Sequence, residues 1–518
     1  FCYNKAMSKI YHITFLILQK IMLVLSLHWL FTAIFHVSQL SSLALILFGV
    51  LAILANRYRF QLKKFYHFLM RHKLAIALAA LLFQLIMLLS AELLIRRDAA
   101  VVFTGAFKYL KESSISSYLT RNPNNLSLFL YERFFFNLFG EAALWIMQGL
   151  NLFYVNIASW ILYKGCQRYF SQATADAVFS LYVALVGFSP YYMSMYTDIP
   201  PLPLISLQIF LALSLLENKG NSRQILARSL LLGILTSLAF LIRPTVMILL
   251  IAVFGVLFLR QNWKKFFLTA AAFGLSFSAG YLPLHYGLAH QTEVPIIQGQ
   301  GLAKGPLLFI NLGLTNIGHD QEDMKEGLLQ YVEPDKRADY NNGMFARENV
   351  IKEIKRRLKE YTPLTFLQHL YYKHSLTVAE GNLGWLYRSV ENEKTPYISP
   401  LYEFTKDDAF AQLIRDFFLN SDKDSFRFYS LIKQAVWIVM ALGLVFALWK
   451  YRPNDSLNFL SLAVFGGLLF LQIFEGGKTR YLIQFLPQIL ILSAVGLTQY
   501  PQAIGKFIFW TRKKESLE

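Results

Sequence analysis

LARSLLLGILTSLAFLIRPTVMILLIAVFGVLFLRQNWKK, residues 226–265, is the stretch on which the fold turns. It holds two apolar runs, 226–242 and 244–260, which meet at Arg243-Pro244 and are followed by Arg260, Lys264 and Lys265. Each run is about long enough to carry a helix across roughly 30 Å of hydrocarbon. Neither alternates polar with apolar residues, so helices rather than barrel strands are indicated.

The same pattern recurs outward in both directions. Runs of this kind lie at 14–36, 39–56, 74–95, 142–163, 174–190, 198–216, 265–288, 428–450, 457–475 and 481–499, which with the first two make twelve. Of the 518 residues 55% are hydrophobic and 16% charged, where soluble domains carry about 25% charge. The expected class is an all-α polytopic membrane protein with about twelve transmembrane helices and a mostly helical extracytoplasmic domain. The first run is too long for a signal-peptide core and shows no small-residue cleavage pattern, so it is expected to be a retained helix.

Charge fixes the expected orientation. Arg57, Arg59, Lys63, Lys64, Arg71 and Lys73 stand between two runs with no acidic residue among them, the pattern of a cytoplasmic loop. Twelve spans then place Lys164 with Arg168, Lys219 to Arg228, Arg260 to Lys265, Lys450 with Arg452, and Lys506 to Lys514 on the same side. Both termini are therefore expected in the cytoplasm of a plasma-membrane protein. Residues 289–427 hold 20 of the 32 acidic residues beside 17 basic ones, and read as a folded domain on the outer side. The net charge of +18 belongs to the membrane loops and points away from nucleic acid. Four divisions follow: 1–73, two additional helices and a basic loop; 74–288, a membrane core whose first outer loop is 98–141; 289–427, the outer domain; and 428–518, the last helices and a basic tail. NNLSLFLYERFFFNLFG, residues 124–140, is apolar enough to span, but spanning would invert the later basic loops, so an interfacial or re-entrant helix is expected.

Ionisable groups at membrane depth are costly and so mark candidate sites. Asp98, in LIRRDAAVVFTGAFKYL, is placed to act as a general base toward a hydroxyl, or else to cap a helix or pair with Arg96 or Arg97. Asp198, in SPYYMSMYTDIPPLP, falls at the same face; it is either a cap for the helix opened by Pro200, Pro201 and Pro203 or a second carboxylate in one cavity. Arg243, Lys478 and Arg480 stand at outer helix tips, where cations either grip a phosphate or snorkel to the interface. Glu475 beside them is a ligand or an ion-pair partner. GHDQED, residues 318–323, reads either as a hard-metal site or as a solvated charge run. His374 and Glu380, with Trp385 and Tyr387 nearby, offer aromatic faces to a sugar. Cys2 and Cys166 are too few for a thiolate metal site. No phosphate-binding glycine loop, nucleophile elbow or zinc motif is present.

Taken together these residues resemble the GT-C superfamily of membrane glycosyltransferases, in the branch of protein O-mannosyltransferases and lipid A aminoarabinose transferase. The resemblance rests on Asp98 after an early helix, the Pro123 to Gly140 stretch, and Ser189-Pro190 followed by Asp198. Arg243-Pro244 and Glu475 followed by Arg480, Tyr481, Leu486 and Pro487 complete it, so that it spans most of 74–500. In detail it is similar to integral membrane proteins of this type from Gram-positive bacteria. It implies inverting transfer of a sugar from a polyprenyl-phosphate donor to a cell-surface acceptor, such as a glycan, teichoic acid, lipid or protein. Asp98 then becomes the catalytic base, and Arg243, Lys478 and Arg480 become candidates for the donor phosphate; from the residues themselves Asp198 is read as a second catalytic carboxylate, and Glu475, Tyr481, His374 and Trp385 as substrate contacts. The chain departs from the pattern in lacking the Asp-x-Asp of oligosaccharyltransferases and in its two extra N-terminal helices. No cofactor is expected, and no divalent metal is indicated. A polytopic transporter or flippase, and a polysaccharide polymerase or ligase, are the other readings of the same plan.

Overall fold

The computed structural model describes residues 2–217, 221–383, 389–450 and 454–498. It is helical almost throughout, and its helices turn large apolar side chains outward. Ile17, Val24 and Phe31 of the Cys2–Leu40 helix are exposed, as are Leu74, Leu78 and Leu82 of Lys73–Ser90. Such surfaces are stable only in a hydrocarbon solvent. The opposite stripe of the first helix, Phe15, Leu18, Met22, Trp29, Ala33 and Val37, recurs at three- and four-residue spacing and is buried. It packs along Phe426–Trp449, where Trp29 meets Trp437 with ring centres 5.3 Å apart and Gln434 Nε2 donates to Ala33 O at 2.7 Å.

Seven helices among the described residues are long and apolar enough to cross a membrane: Lys9–Leu40, Lys73–Ser90, Ser222–Ile242, Trp263–Ala289, Phe426–Trp449, Asp455–Ile473 and Thr479–Thr498. Shorter apolar helices cover Gln172–Gly187, Pro201–Leu216 and Pro244–Leu259, and the Ala143–Tyr169 helix fills the remaining expected position. The 39–56 run becomes one arm of a bent pair, Leu43–Arg57 and Arg59–Arg71, at 87°. The basic stretch after it is thus a helix and not a loop. Its Leu62, Tyr66, Leu69 and Met70 share a face at helical spacing, and Ser180 Oγ donates to Tyr66 Oη at 3.3 Å. Ser222–Ile242 and Trp263–Ala289 approach so closely that a Cβ on Gly233 would stand 2.7 Å from Phe273 O, the small-residue packing of membrane helices.

Cations in this bundle serve backbone carbonyls. Arg228, from one basic segment, and Arg260 and Lys265, from another, donate to Ser214 O (3.0 Å), Leu216 O (2.6 Å) and Glu217 O (2.7 Å). They satisfy the otherwise unpaired C-terminal carbonyls of Pro201–Leu216 and complement its dipole. These residues from two basic segments therefore meet at one end of the bundle. Lys433 does the same inside it: 2% exposed, it donates to Ala184 O (2.6 Å) and Leu185 O (3.1 Å) of the π-helical turn Val183–Gly187. A π turn leaves carbonyls that the ladder does not satisfy. Lys433→Met should leave both without a donor and lower stability by about 2 kcal/mol, measured by thermal unfolding in detergent.

Residues 289–427 add helices Pro306–Gly313, Gln321–Leu329, Arg347–Glu360 and Pro363–Val378. Leu308, Leu312, Met324, Leu328, Met344, Phe345 and Val350 form a separate small core there. A later part of the segment folds back on the first loop through two short antiparallel strands, Leu93–Ile95 and Tyr397–Ile398, pairing Leu93 with Ile398 and Ile95 with Tyr397.

Candidate active site

That strand pairing places Asp98. Immediately after it, Arg96 and Arg97 both pair with the buried Glu393 carboxylate, Arg97 Nε at 3.2 Å. Arg97 N donates to Lys394 O at 3.0 Å, and Thr395 Oγ1 donates to Arg97 O at 3.1 Å. Arg97 is thereby held at φ 55°, a conformation rare outside glycine, and Asp98 opens the first turn of the Arg97–Ala106 helix. The two arginines that sequence offered as ion-pair partners of Asp98 are thus occupied elsewhere. The helix carries no side-chain cap. Asp98 is exposed and makes no ion pair among the described residues. A carboxylate so placed is available to a ligand.

Around it stands a polar wall. Tyr118 lies within hydrogen-bonding reach of Asp98, and burial first, then that carboxylate, drives its phenol strongly upward. Asn125 Nδ2 donates to Tyr118 Oη at 2.8 Å, and Tyr196 Oη donates to Asn125 Oδ1 at 3.3 Å. Burial, followed by Asp98, pushes the Tyr196 phenol up to about 12. Both hydroxyls therefore stay protonated as donors. The Arg480 guanidinium lies 5.1 Å from the Tyr196 ring centre.

Asp198 occupies the middle of this wall, fully buried. Arg243 Nη1 lies 3.0 Å from its Oδ1 and Arg480 Nε 3.3 Å from its Oδ2. Neither Asp198 nor Thr197 caps the Pro201–Leu216 helix. Thr197 Oγ1 instead accepts from Arg243 Nη1 at 2.7 Å. With its amide carbonyl turned toward Arg243, Gln484 accepts from Nη2 at 2.8 Å and donates to Thr245. One carboxylate, a hydroxyl and an amide thus hold the Arg243 fork, where sequence placed it at the donor.

The last loop closes the site. Tyr481 donates to Glu475, and between Glu475 and Lys478 the chain turns at Gly477, φ +73°. A Cβ there would strike Ile317 O, so only glycine fits. The Lys478 ammonium forms no hydrogen bond or ion pair among the described residues, and burial lowers it, with Glu475, Arg480, Arg97 and Asp98 all within electrostatic reach. Lys304 matches it. Its backbone N–H donates to Arg121 O at 3.0 Å, its ammonium has no hydrogen bond or ion pair among the described residues, and burial lowers it while Asp98 and Glu475 pull it up. Two half-buried ammonium groups with no hydrogen bond or ion pair among the described residues thus flank a carboxylate that forms no ion pair there.

Sequence found Asp98, Asp198, Arg243, Glu475, Lys478, Arg480 and Tyr481, and the fold brings all seven together. His374 goes elsewhere: its Nδ1 lies 2.7 Å from His28 Nδ1, against the first helix. Trp385 and Tyr387 lie outside the described residues. In GHDQED, Asp320 caps the Gln321–Leu329 helix and Asp323 accepts both ends of the Arg357 fork at 2.8 and 2.9 Å, so these carboxylates serve the protein. No metal-holding cluster occurs among the described residues. Tyr118, Tyr196, Lys304 and Gln484 escaped the sequence reading. A lone lysine in QGQGLAKGP, residues 298–306, carries no periodic signal, and only the tertiary fold brings it to Asp98.

Residues 2–500 match the family described as conserved hypothetical integral membrane protein. The chain belongs to this family. Two solved structures are also similar, both of ArnT from Cupriavidus metallidurans: one bound to undecaprenyl phosphate, TM-score 0.35, and one in the apo state, TM-score 0.28. Each is 12% identical over 82% of this chain and 77% of that one. No curated protein matches.

Proposed function

We propose that this protein is a GT-C-type membrane glycosyltransferase that moves a sugar from a polyprenyl-phosphate donor to a hydroxyl of a cell-surface acceptor. The observation that carries this reading is the convergence of Asp98, a carboxylate that forms no ion pair among the described residues, with the ammonium groups of Lys304 and Lys478, which have no hydrogen bond or ion pair there. A polyprenyl phosphate keeps its tail in hydrocarbon and its anionic head at the surface. Its enzyme therefore needs cations and a base at that depth.

In this mechanism Asp98 takes the proton of the acceptor hydroxyl as its oxygen bonds to the sugar C1. The bond from C1 to the phosphate oxygen breaks with inversion, and the polyprenyl phosphate leaves with the electron pair. Lys304 and Lys478 meet the charge that develops on that phosphate, and preorganised cations need no reorganisation at the moment of reaction. Asp198 is a positioning residue that aims Arg480 and Arg243, and Arg480 completes the cationic rim. Tyr118 orients the Asp98 carboxylate, and Tyr196, through Asn125, holds Tyr118 in place. We read the site as facing away from the cytoplasm, on the side opposite the basic stretches.

Membranes supplied with a panel of polyprenyl-phosphate sugars should consume one of them and form an anomerically inverted product. Lys304→Met and Lys478→Met should each weaken binding of the unsugared polyprenyl phosphate about tenfold, the scale of one charge-assisted hydrogen bond. Consumption of no donor, or unchanged phosphate affinity in both variants, would overturn the reading.

A further inference from the structure

The loop that brings Glu475, Lys478 and Arg480 to Asp98 is anchored by a residue outside the site. Lys373, on the Pro363–Val378 helix, is fully buried, and its Nζ donates to Gly313 O (2.9 Å), Gln472 O (2.9 Å) and Phe474 O (2.8 Å). The three acceptors match the three protons of an ammonium group; a neutral amine has only two. Its stem runs through a sleeve of glycines. A Cβ on Gly318 or on Gly476 would lie 2.7 Å from Lys373 Cε, and one on Gly313 2.9 Å from Nζ. Two further bonds join the same helix to the loop: Gly477 N donates to Thr377 Oγ1 at 3.0 Å, and Thr479 Oγ1 donates to Leu376 O at 3.2 Å.

We infer that Lys373 is a positioning residue: its ammonium ties the outer segment at Gly313 to the end of the Asp455–Ile473 helix, and so sets where Glu475, Lys478 and Arg480 stand. This rests on the proposed reading for its effect on transfer, though not for its effect on the loop. The geometry argues for a role beyond packing. A methionine of similar length would fill the sleeve, yet the chain buries a cation there and satisfies every proton. Glu475 is the acidic group near it; His369, on the same helix, also bonds Gly313 O at 3.0 Å. His319, beside Gly476 and Lys478, is lowered by burial to about 4 and so is neutral at pH 7. Burial brings the Lys373 ammonium down to about 7, with Glu475 opposing. It is charged below that value, and as pH rises through it one of the three carbonyls loses its donor.

Amide hydrogen exchange of the loop 474–480, corrected for intrinsic rates, tests this in the wild type. Protection should fall between about pH 6 and about pH 9, while that of the membrane helices holds. Lys373→Met should lose that protection at every pH and lower kcat/KM for transfer about tenfold, through misplacement of the phosphate-binding cations. Lys373→Arg, charged throughout, should abolish the pH dependence of the protection. A Lys373→Met protein whose loop stays protected overturns the proposal; wild-type protection that holds across this pH range but is lost in Lys373→Met upholds it, with the ammonium charged throughout. A pH-dependent loop in a protein that transfers no sugar would uphold the role of Lys373 and overturn the glycosyltransferase reading alone.

Discussion

Asp98→Asn should reduce sugar transfer between about a hundredfold and ten-thousandfold while leaving polyprenyl-phosphate affinity nearly unchanged. Asparagine keeps the shape and cannot accept the acceptor's proton. The side chain is exposed and pairs with no cation among the described residues, so little stability rides on its charge. Loss in kcat with an unaltered thermal midpoint is therefore the expected signature, read from initial rates at matched expression and from unfolding of the purified variant. An Asp98→Asn protein as active as the wild type would remove Asp98 from the mechanism.

Asp198→Asn should behave in the opposite way, with stability and function lost together. The carboxylate is fully buried against Arg243 and Arg480, each about one-fifth exposed. Removing one partner of such an arrangement leaves uncompensated charge and costs about 3–5 kcal/mol, with the lower end expected here because the guanidinium groups retain some water. Two arginines released from a common partner also repel each other, so the rim of the phosphate site loses its geometry. Thermal unfolding and phosphate binding should both shift, and a variant that binds normally at an unchanged midpoint would show that Asp198 does not hold the arginines. The contrast separates the two aspartates, which sequence placed in one catalytic class.

Much of this was legible beforehand. Apolar run length and the clustering of Lys and Arg bear directly on partition into lipid, so the helical membrane fold and most element positions could be read from the chain. The cost of ionisable groups at helix ends likewise picked out Asp98, Asp198, Arg243, Glu475, Lys478 and Arg480. What stayed hidden depends on contacts distant in sequence. Glu393 withdraws Arg96 and Arg97 from Asp98 across 297 and 296 positions, and no local pattern announces such a pair. Asp198 had two local readings, cap or catalyst, and neither foresaw two arginines arriving from separate helices. His374 looked like a sugar ligand because polar and aromatic residues surround it in sequence, but helical geometry turns it toward His28. The basic stretch after residue 57 was read as a loop from charge alone, although its apolar residues already kept helical spacing.

The clasp formed by Leu93–Ile95, Tyr397–Ile398 and Glu393 also sets a clock on biosynthesis. Arg96 must wait for Glu393, 297 residues later in the chain, and translation at about 5–20 residues per second makes that wait roughly 15–60 s. During it the early helices are already in the bilayer while the turn that places Asp98 lacks its clasp. A nascent chain arrested before residue 393 would therefore be inserted with its candidate site incomplete.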